Sequence, residues 1–126
     1  MQYGYLACAL DMLNVRDLDL IAQARALCDV LVVGVLTDDD IRACTGRVPV
    51  IGVEERLILA NHLRGVDRAV IHNEAEFELL SESMLVIAVE GESDWLRPDA
   101  DVVLTPAIFS LSTQLRTALG AVPRSA

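Results

Sequence analysis

The chain contains no lysine; all ten of its basic residues are arginine. That absence removes a Walker-type lysine, a Schiff-base lysine and a lysine phosphate clamp from consideration. Cysteine is scarce as well: Cys8, Cys28 and Cys44 are too few and too scattered for a zinc site or a disulfide framework, and Cys8 and Cys28 read as small core residues. The two histidines, His62 and His72, fall on different predicted elements, which argues against a metal centre and leaves a histidine base hard to place. No apolar run approaches the ~18 residues of a membrane span, and the longest, Val30 to Leu36, has the length of a buried strand. Met1 to Gly4 carries no basic segment of the kind that opens a signal peptide, so a cytoplasmic protein is expected. Cations are the minority sign: 10 basic residues against 19 acidic ones give a net charge of −9, which disfavours a nucleic-acid surface because neutralising phosphates needs clustered cations.

What is present is apolar and periodic. With 126 residues, 53% of them hydrophobic, the chain is long enough for one real core, and a single domain over residues 1–126 is expected. Tyr3 to Ala9 is almost unbroken apolar sequence, as in a central strand covered on both faces. A helix from about Asp17 to Leu27 follows, with Leu18, Ile21, Ala22 and Leu27 on its apolar face, and then a second strand from Val30 to Leu36. Further strands are expected at Arg68–Ile71, Met84–Val89 and Asp101–Leu104. Helices are expected from Thr37 to about Cys44, from Val53 to about Arg64, from Asn73 to Leu80, and from Ser112, as cap, to about Ala121. On the Val53–Arg64 helix, Leu57, Ile58, Ala60 and Leu63 make the inner side. Strands alternating with helices predict an α/β fold, a doubly wound five-stranded parallel sheet of Rossmann-like form.

The stretch Cys8 to Asp17 joins the first strand to the first helix. Such a turn lies at the carboxyl end of the sheet, where ligands bind and where a helix N-terminus presents free N–H groups. No G-x-G-x-x-G follows the strand, and there is no P-loop, nucleophile elbow or credible triad. The acidic run Thr37-Asp38-Asp39-Asp40 reads as the first turn of a helix in preference to a magnesium or phospho-acceptor site. A receiver-domain pattern would need an acidic pair after the first strand and a late lysine, and has neither.

The ten residues Cys8 to Asp17 align without a gap on G-x-F-D-x-x-H-x-G-H. Thr37-Asp38 falls on T-D, Glu55-Arg56 on E-R, Arg64 to Asp67 on R-x-V-D, Gly91 to Trp95 loosely on G-D-D-W, and Leu111-Ser112-Thr113 on I-S-T. In this order of motifs the chain resembles the cytidylyltransferase-like nucleotidyltransferases of the glycerol-3-phosphate cytidylyltransferase type, over nearly its whole length. The resemblance implies transfer of CMP or AMP from a nucleoside triphosphate, with Mg²⁺, to a small phosphorylated alcohol or sugar, with release of pyrophosphate. It also implies, together with the high hydrophobic fraction, a homodimer. By this likeness Ala9, Leu10, Asn14, Arg16, Arg47, Ser112 and Thr113 fall at nucleotide-binding positions, and Asp11 and Arg64 at acceptor-binding ones.

The same alignment shows an altered motif. Asn14 and Asp17 occupy the two histidine positions, and Arg16 stands where a glycine lets backbone approach the nucleotide. Thr45 stands in place of a loop lysine, although Gly46, Arg47 and Pro49 fit, and Ala107 in place of an arginine. A carboxylate about 4 Å from a phosphate charge costs on the order of 4 kcal/mol at an effective dielectric of about 20. Asp17 in that position lowers the rate roughly a thousandfold. The expectation is therefore a weak or inactive nucleotidyltransferase, with a non-catalytic binding or dimerisation module as the alternative.

Overall fold

The structure is a computed structural model and describes residues 1–91 and 99–107. Five strands, β1 (Tyr3–Cys8), β2 (Val30–Val35), β3 (Arg68–Ile71), β4 (Met84–Val89) and β5 (Val102–Leu104), form one all-parallel sheet in the order β3-β2-β1-β4-β5. The helices are α1 (Val15–Arg25), α2 (Asp38–Thr45), α3 (Val53–Asn61) and α4 (Glu74–Leu80). A single 3₁₀ turn, Ser81–Ser83, follows α4. The expected helix over Thr113–Ala121 and its cap Ser112 lie outside the described residues, as do Ile108, Phe109 and Trp95.

The α/β fold class and the five-stranded parallel sheet expected from the sequence are observed. The reason is burial on two faces. Along β1, Leu6 and Cys8 point to one face and Tyr5 and Ala7 to the other, and all four are buried. The first face packs Leu31, Val33, Val35, Ile87 and Val89 against Leu20, Ile21 and Ala24 of α1 and Ala60 of α3. The second gathers Tyr5, Ala7, Leu36, Ile41, Phe77 and Val86 beneath α2 and α4. A strand covered on both faces has no polar alternation to show, which is why β1, β2 and β4 read as continuous apolar runs.

Gly34 of β2 has a specific steric role on the second face. A Cβ there would lie 1.8 Å from the hydroxyl oxygen of Tyr5 and 2.3 Å from its ring carbon Cζ. The bare backbone lets the Tyr5 ring lie across β2 and reach His72, whose Nδ1 is 2.7 Å from the Tyr5 hydroxyl in a buried hydrogen bond. His72 Nε2 in turn meets Glu74 Oε2 at 3.1 Å.

Two helix faces differ from the sequence expectation. α1 starts at Val15, and its buried face is Asp17, Leu20, Ile21 and Ala24, whereas Leu18 and Leu27 are exposed. The apolar count of this helix is too low for periodicity to fix its rotation, and a buried aspartate belongs to the inner face. On α3, Ile58 is 61% exposed and the residues wholly withdrawn from solvent are Arg56 and Ala60. α3 also ends at Asn61, three residues short of Arg64, with the His62 N–H bonded back to the Leu59 carbonyl at 3.0 Å.

Candidate functional site

β1 is the central strand, with β2 on one side and β4 on the other, so the crossover connections leave it in opposite directions. The crevice at its carboxyl end is where open α/β sheets bind ligands. The turn from Cys8 to Asn14 emerges there. Its backbone is unusual: Leu10 and Met12 both have φ of +56°, a left-handed conformation that non-glycine residues adopt at a cost of about 1–2 kcal/mol each. Strain of this kind persists only where the surroundings over-determine it.

Two side chains supply that constraint. Asp11, 8% exposed, accepts from the backbone N–H of Val50 (3.0 Å) and of Ile51 (2.8 Å), fastening the loop before α3 to the turn after β1. Arg56 is buried completely and spreads its guanidinium over four acceptors. Nε donates to the Ile51 carbonyl (2.8 Å), Nη1 to the carbonyls of Ala9 and Leu36 (2.7 Å each), and Nη2 to Asp38 Oδ1 (2.8 Å). One planar side chain thus ties together the ends of β1 and β2, the start of α2 and the loop entering α3, a use suited to the rigid donor fork of arginine. Sequence reasoning placed Glu55-Arg56 only as a matching dipeptide. The signal available was its position, since Arg56 lies three residues after Val53 and four before Ala60 on the inward side of the helix.

Asn14 and Asp17 are joined in a reciprocal capping box. The Asn14 side chain accepts from Arg16 N at 2.9 Å and from the Asp17 backbone, while the Asn14 N–H donates to Asp17 Oδ2 at 3.2 Å. Asn14 Nδ2 donates to the Met12 carbonyl at 2.9 Å. Asp17, 6% exposed, is turned into the helix start, and Arg16 Nη1 lies 3.7 Å from its Oδ1. The repulsion expected between an open Asp17 carboxylate and a phosphate is therefore tempered by an N–H and a guanidinium. What the position lacks is a donor.

The remaining expected residues are distributed unevenly. Ala9 and Leu10 form the turn itself, and the Ala9 carbonyl is held by Arg56. Arg47 is half-buried in the loop that Asp11 anchors, with its N–H donating to Thr45 Oγ1 at 3.1 Å. Thr45 also donates that hydroxyl to the Ile41 carbonyl at 2.9 Å. Ala107 lies against α1, its N–H on Asp19 Oδ2 at 3.1 Å, which brings the chain after β5 to the same crevice. Ser112 and Thr113 lie outside the described residues. Arg64 is not brought to this cluster. It sits exposed in the turn before Asp67, whose N–H donates to the Leu31 carbonyl (3.0 Å) and whose Oδ2 accepts from Leu31 N (2.7 Å). Leu31 pairs with Gly4, so that turn is four residues, roughly 13 Å, below the end of β1.

Among the described residues there is no group of three or more His, Cys, Asp or Glu side chains that would hold a metal ion. The carboxylates at the crevice are already engaged: Asp11 by two amides, Asp38 by Arg56, and Asp40 by the N–H of Thr37 at 3.3 Å. Among the described residues no helix is long and apolar enough to cross a membrane.

Comparison with known proteins agrees with this architecture. No family model matches the sequence. The chain is 29% identical over 102 residues to ethanolamine-phosphate cytidylyltransferase of Arabidopsis thaliana; the match covers 81% of this chain but only 24% of that protein, so the chain spans about a quarter of its relative's length. Its fold is similar to the crystal structure of the lipopolysaccharide core biosynthesis protein from Thermoplasma volcanium GSS1, with a TM-score of 0.67 and 21% identity over 87% of this chain and 99% of that one. The order β3-β2-β1-β4-β5 is the Rossmann-like nucleotidyltransferase arrangement. The chain is thus a distant sequence relative of a cytidylyltransferase and shares the Rossmann-like fold of the matched structure.

Proposed function

We propose that this domain keeps the nucleotidyltransferase scaffold with the transfer reaction strongly impaired. The reaction at stake is attack of an acceptor phosphate oxygen on the α-phosphorus of CTP or ATP, forming a new P–O–P link as the bond to pyrophosphate breaks. Catalysis of such a step is mostly positioning and donation to developing charge. The observation that carries the reading is the capping box: Asn14 and Asp17, at the two positions where the family supplies histidine donors, are spent on each other and on the start of α1. Thr45 and Ala107 likewise turn their polar groups to the protein's own backbone and to Asp19. Loss of two transition-state donors, each worth about 2.7–4 kcal/mol in comparable sites, lowers the rate by roughly ten-thousandfold or more. Mg²⁺ has no resident cage of described side chains here; in a residual reaction it arrives on the triphosphate, the ion's usual mode of binding.

A second reading, an active enzyme using a nucleoside triphosphate and a small phosphorylated acceptor such as ethanolamine phosphate, is favoured by the turn itself. Leu10 and Met12 remain in costly left-handed conformations and Asp11 and Arg56 still brace them, which is more than the fold alone requires. Calorimetry with CTP and with ATP in the presence of Mg²⁺, together with pyrophosphate release on adding ethanolamine phosphate or glycerol 3-phosphate, separates the two. Impairment predicts at best millimolar binding and no turnover above background. Micromolar binding with steady pyrophosphate release overturns it. Asp17→His combined with Arg16→Gly is expected to raise nucleotide affinity. A homodimer, as the family likeness implies, is proposed for either reading and is checked by sedimentation.

A further inference from the structure

On the far side of the sheet from α1 and α3 there is a cavity of about 520 Å³, within the roughly 300–1,000 Å³ of small-molecule sites. Among the described residues this face carries two short helices, α2 and α4. Seven residues of α4 extend roughly 10 Å, whereas five strands span roughly 19 Å. Among the described residues the cavity opens over the amino-terminal half of β1, β2 and β4, at Tyr3, Val32 and Met84. The floor is Tyr3, Tyr5, Val32 and Met84, and Phe77 of α4 forms a wall. Tyr3, Tyr5 and Phe77 are three of the chain's five aromatic residues, both tyrosines and one of two phenylalanines, with a single tryptophan elsewhere. Tyr5 and Phe77 already meet at a centroid distance of 5.0 Å and a tilt of 57°, and the His72 hydrogen bond fixes the Tyr5 ring from behind.

Among the described residues the rim is polar and holds one cation. Arg68, the first residue of β3, is exposed, and its side chain makes no hydrogen bond or ion pair with the described residues. Glu76 stands on α4 at the same rim, its N–H on Asn73 Oδ1 and its exposed carboxylate without a partner among the described residues. An unpaired guanidinium offers a planar, two-pronged donor matched to a carboxylate. The Glu76 charge nearby, and the net charge of −9, disfavour a dianion such as a phosphate monoester.

We propose that this cavity is a binding site for a planar apolar molecule carrying a single carboxylate, its rings lying between Tyr3, Tyr5 and Phe77 and its carboxylate on Arg68. The site is separate from the crevice at the end of β1 and its occupancy does not depend on nucleotide transfer. Naphthoate is a suitable probe, with naphthylmethanol as its uncharged analogue, each titrated into the full chain while backbone amide NMR shifts are followed. Saturable binding at one site per chain is expected, with shifts confined to β1, β2, β3, β4 and α4. Naphthoate should bind about tenfold more tightly than the alcohol, and Arg68→Gln should abolish that difference without altering the unliganded spectrum beyond its neighbours. The acid–alcohol comparison requires no variant. Absence of saturation, equal affinity of the two probes, shifts centred on Cys8 to Asp17, or an unchanged preference in the Arg68→Gln protein each overturns the proposal. So does concentration-dependent self-association that naphthoate does not affect and that shields Tyr3 and Met84, since a second copy of the chain is then the occupant.

Discussion

Replacing Arg56 with methionine, which matches its length and apolar stem but removes every donor, tests the bracing of the crevice directly. Three backbone carbonyls lose a donor at 2.7–2.8 Å, that of Leu36 buried and those of Ala9 and Ile51 partly buried. An unsatisfied buried group costs about 1–3 kcal/mol, and the lower end applies to carbonyls that keep other partners. Asp38 is 44% exposed at its side chain and is rehydrated, so its share is small. The sum is about 3–4 kcal/mol out of a domain stability of about 5–15 kcal/mol. Urea unfolding followed by circular dichroism should show the midpoint falling by roughly 1.5–2 M at a slope of about 2 kcal/mol/M, and the melting temperature by roughly 10–15 °C. Arg56→Lys should fall between the two proteins, because a single ammonium on a flexible stem does not reach all four acceptors. A loss below about 1 kcal/mol for Arg56→Met refutes the reasoning, and so does an Asp38→Asn variant that destabilises as much as Arg56→Met.

Other consequences are as specific. Gly34→Ala should destabilise by about 2–3 kcal/mol in urea unfolding, and adding Tyr5→Phe should not restore stability, because Cζ alone would lie 2.3 Å from the new methyl. Asn14→Ala removes the cap of α1 and should cost about 1 kcal/mol, with much less than an additive effect when combined with Asp17→Ala, as a double-mutant cycle would register. Burial pushes the Cys28 thiol above its ordinary value, with Arg25 opposing and Asp67 and Asp29 reinforcing the shift. The folded state therefore holds that proton more tightly than the unfolded chain, and this contribution is complete below about pH 8.5 and is lost as pH rises through the folded value. Cys28 should alkylate more slowly at pH 8 than a free thiol, and a Cys28→Ala protein should lose less stability between pH 8 and 10 than the parent.

The strands were legible because their composition leaves little choice. Val30–Val35 and Met84–Val89 are apolar on both faces, and the boundaries of β3 and β4 fall where the pattern changes. α2 was equally clear, since Thr37 followed by Asp40 is a capping pair and the Thr37 hydroxyl indeed accepts from Asp40 N at 3.0 Å. α1 was harder: Asp17 and Asp19 interrupt its apolar spacing, so the rotation had to come from packing. In the crevice, the turn after β1 was identifiable from its place between a strand and a helix. The duties of Asn14 and Asp17 were not, because a motif position and a capping position impose the same short polar residues. Arg56 escaped notice for the opposite reason, as hydropathy assigns an arginine to the surface and only three-dimensional proximity of four acceptors draws it in.

Asp11 and Arg56 hold the crevice from behind, by backbone groups of the loops. The side chains of Arg16 and Thr45 make local contacts instead, Arg16 with Asp17 and Thr45 with Ile41 and Arg47. The bracing of the turn by Asp11 and Arg56 therefore does not depend on which side chains stand at positions 16 and 45.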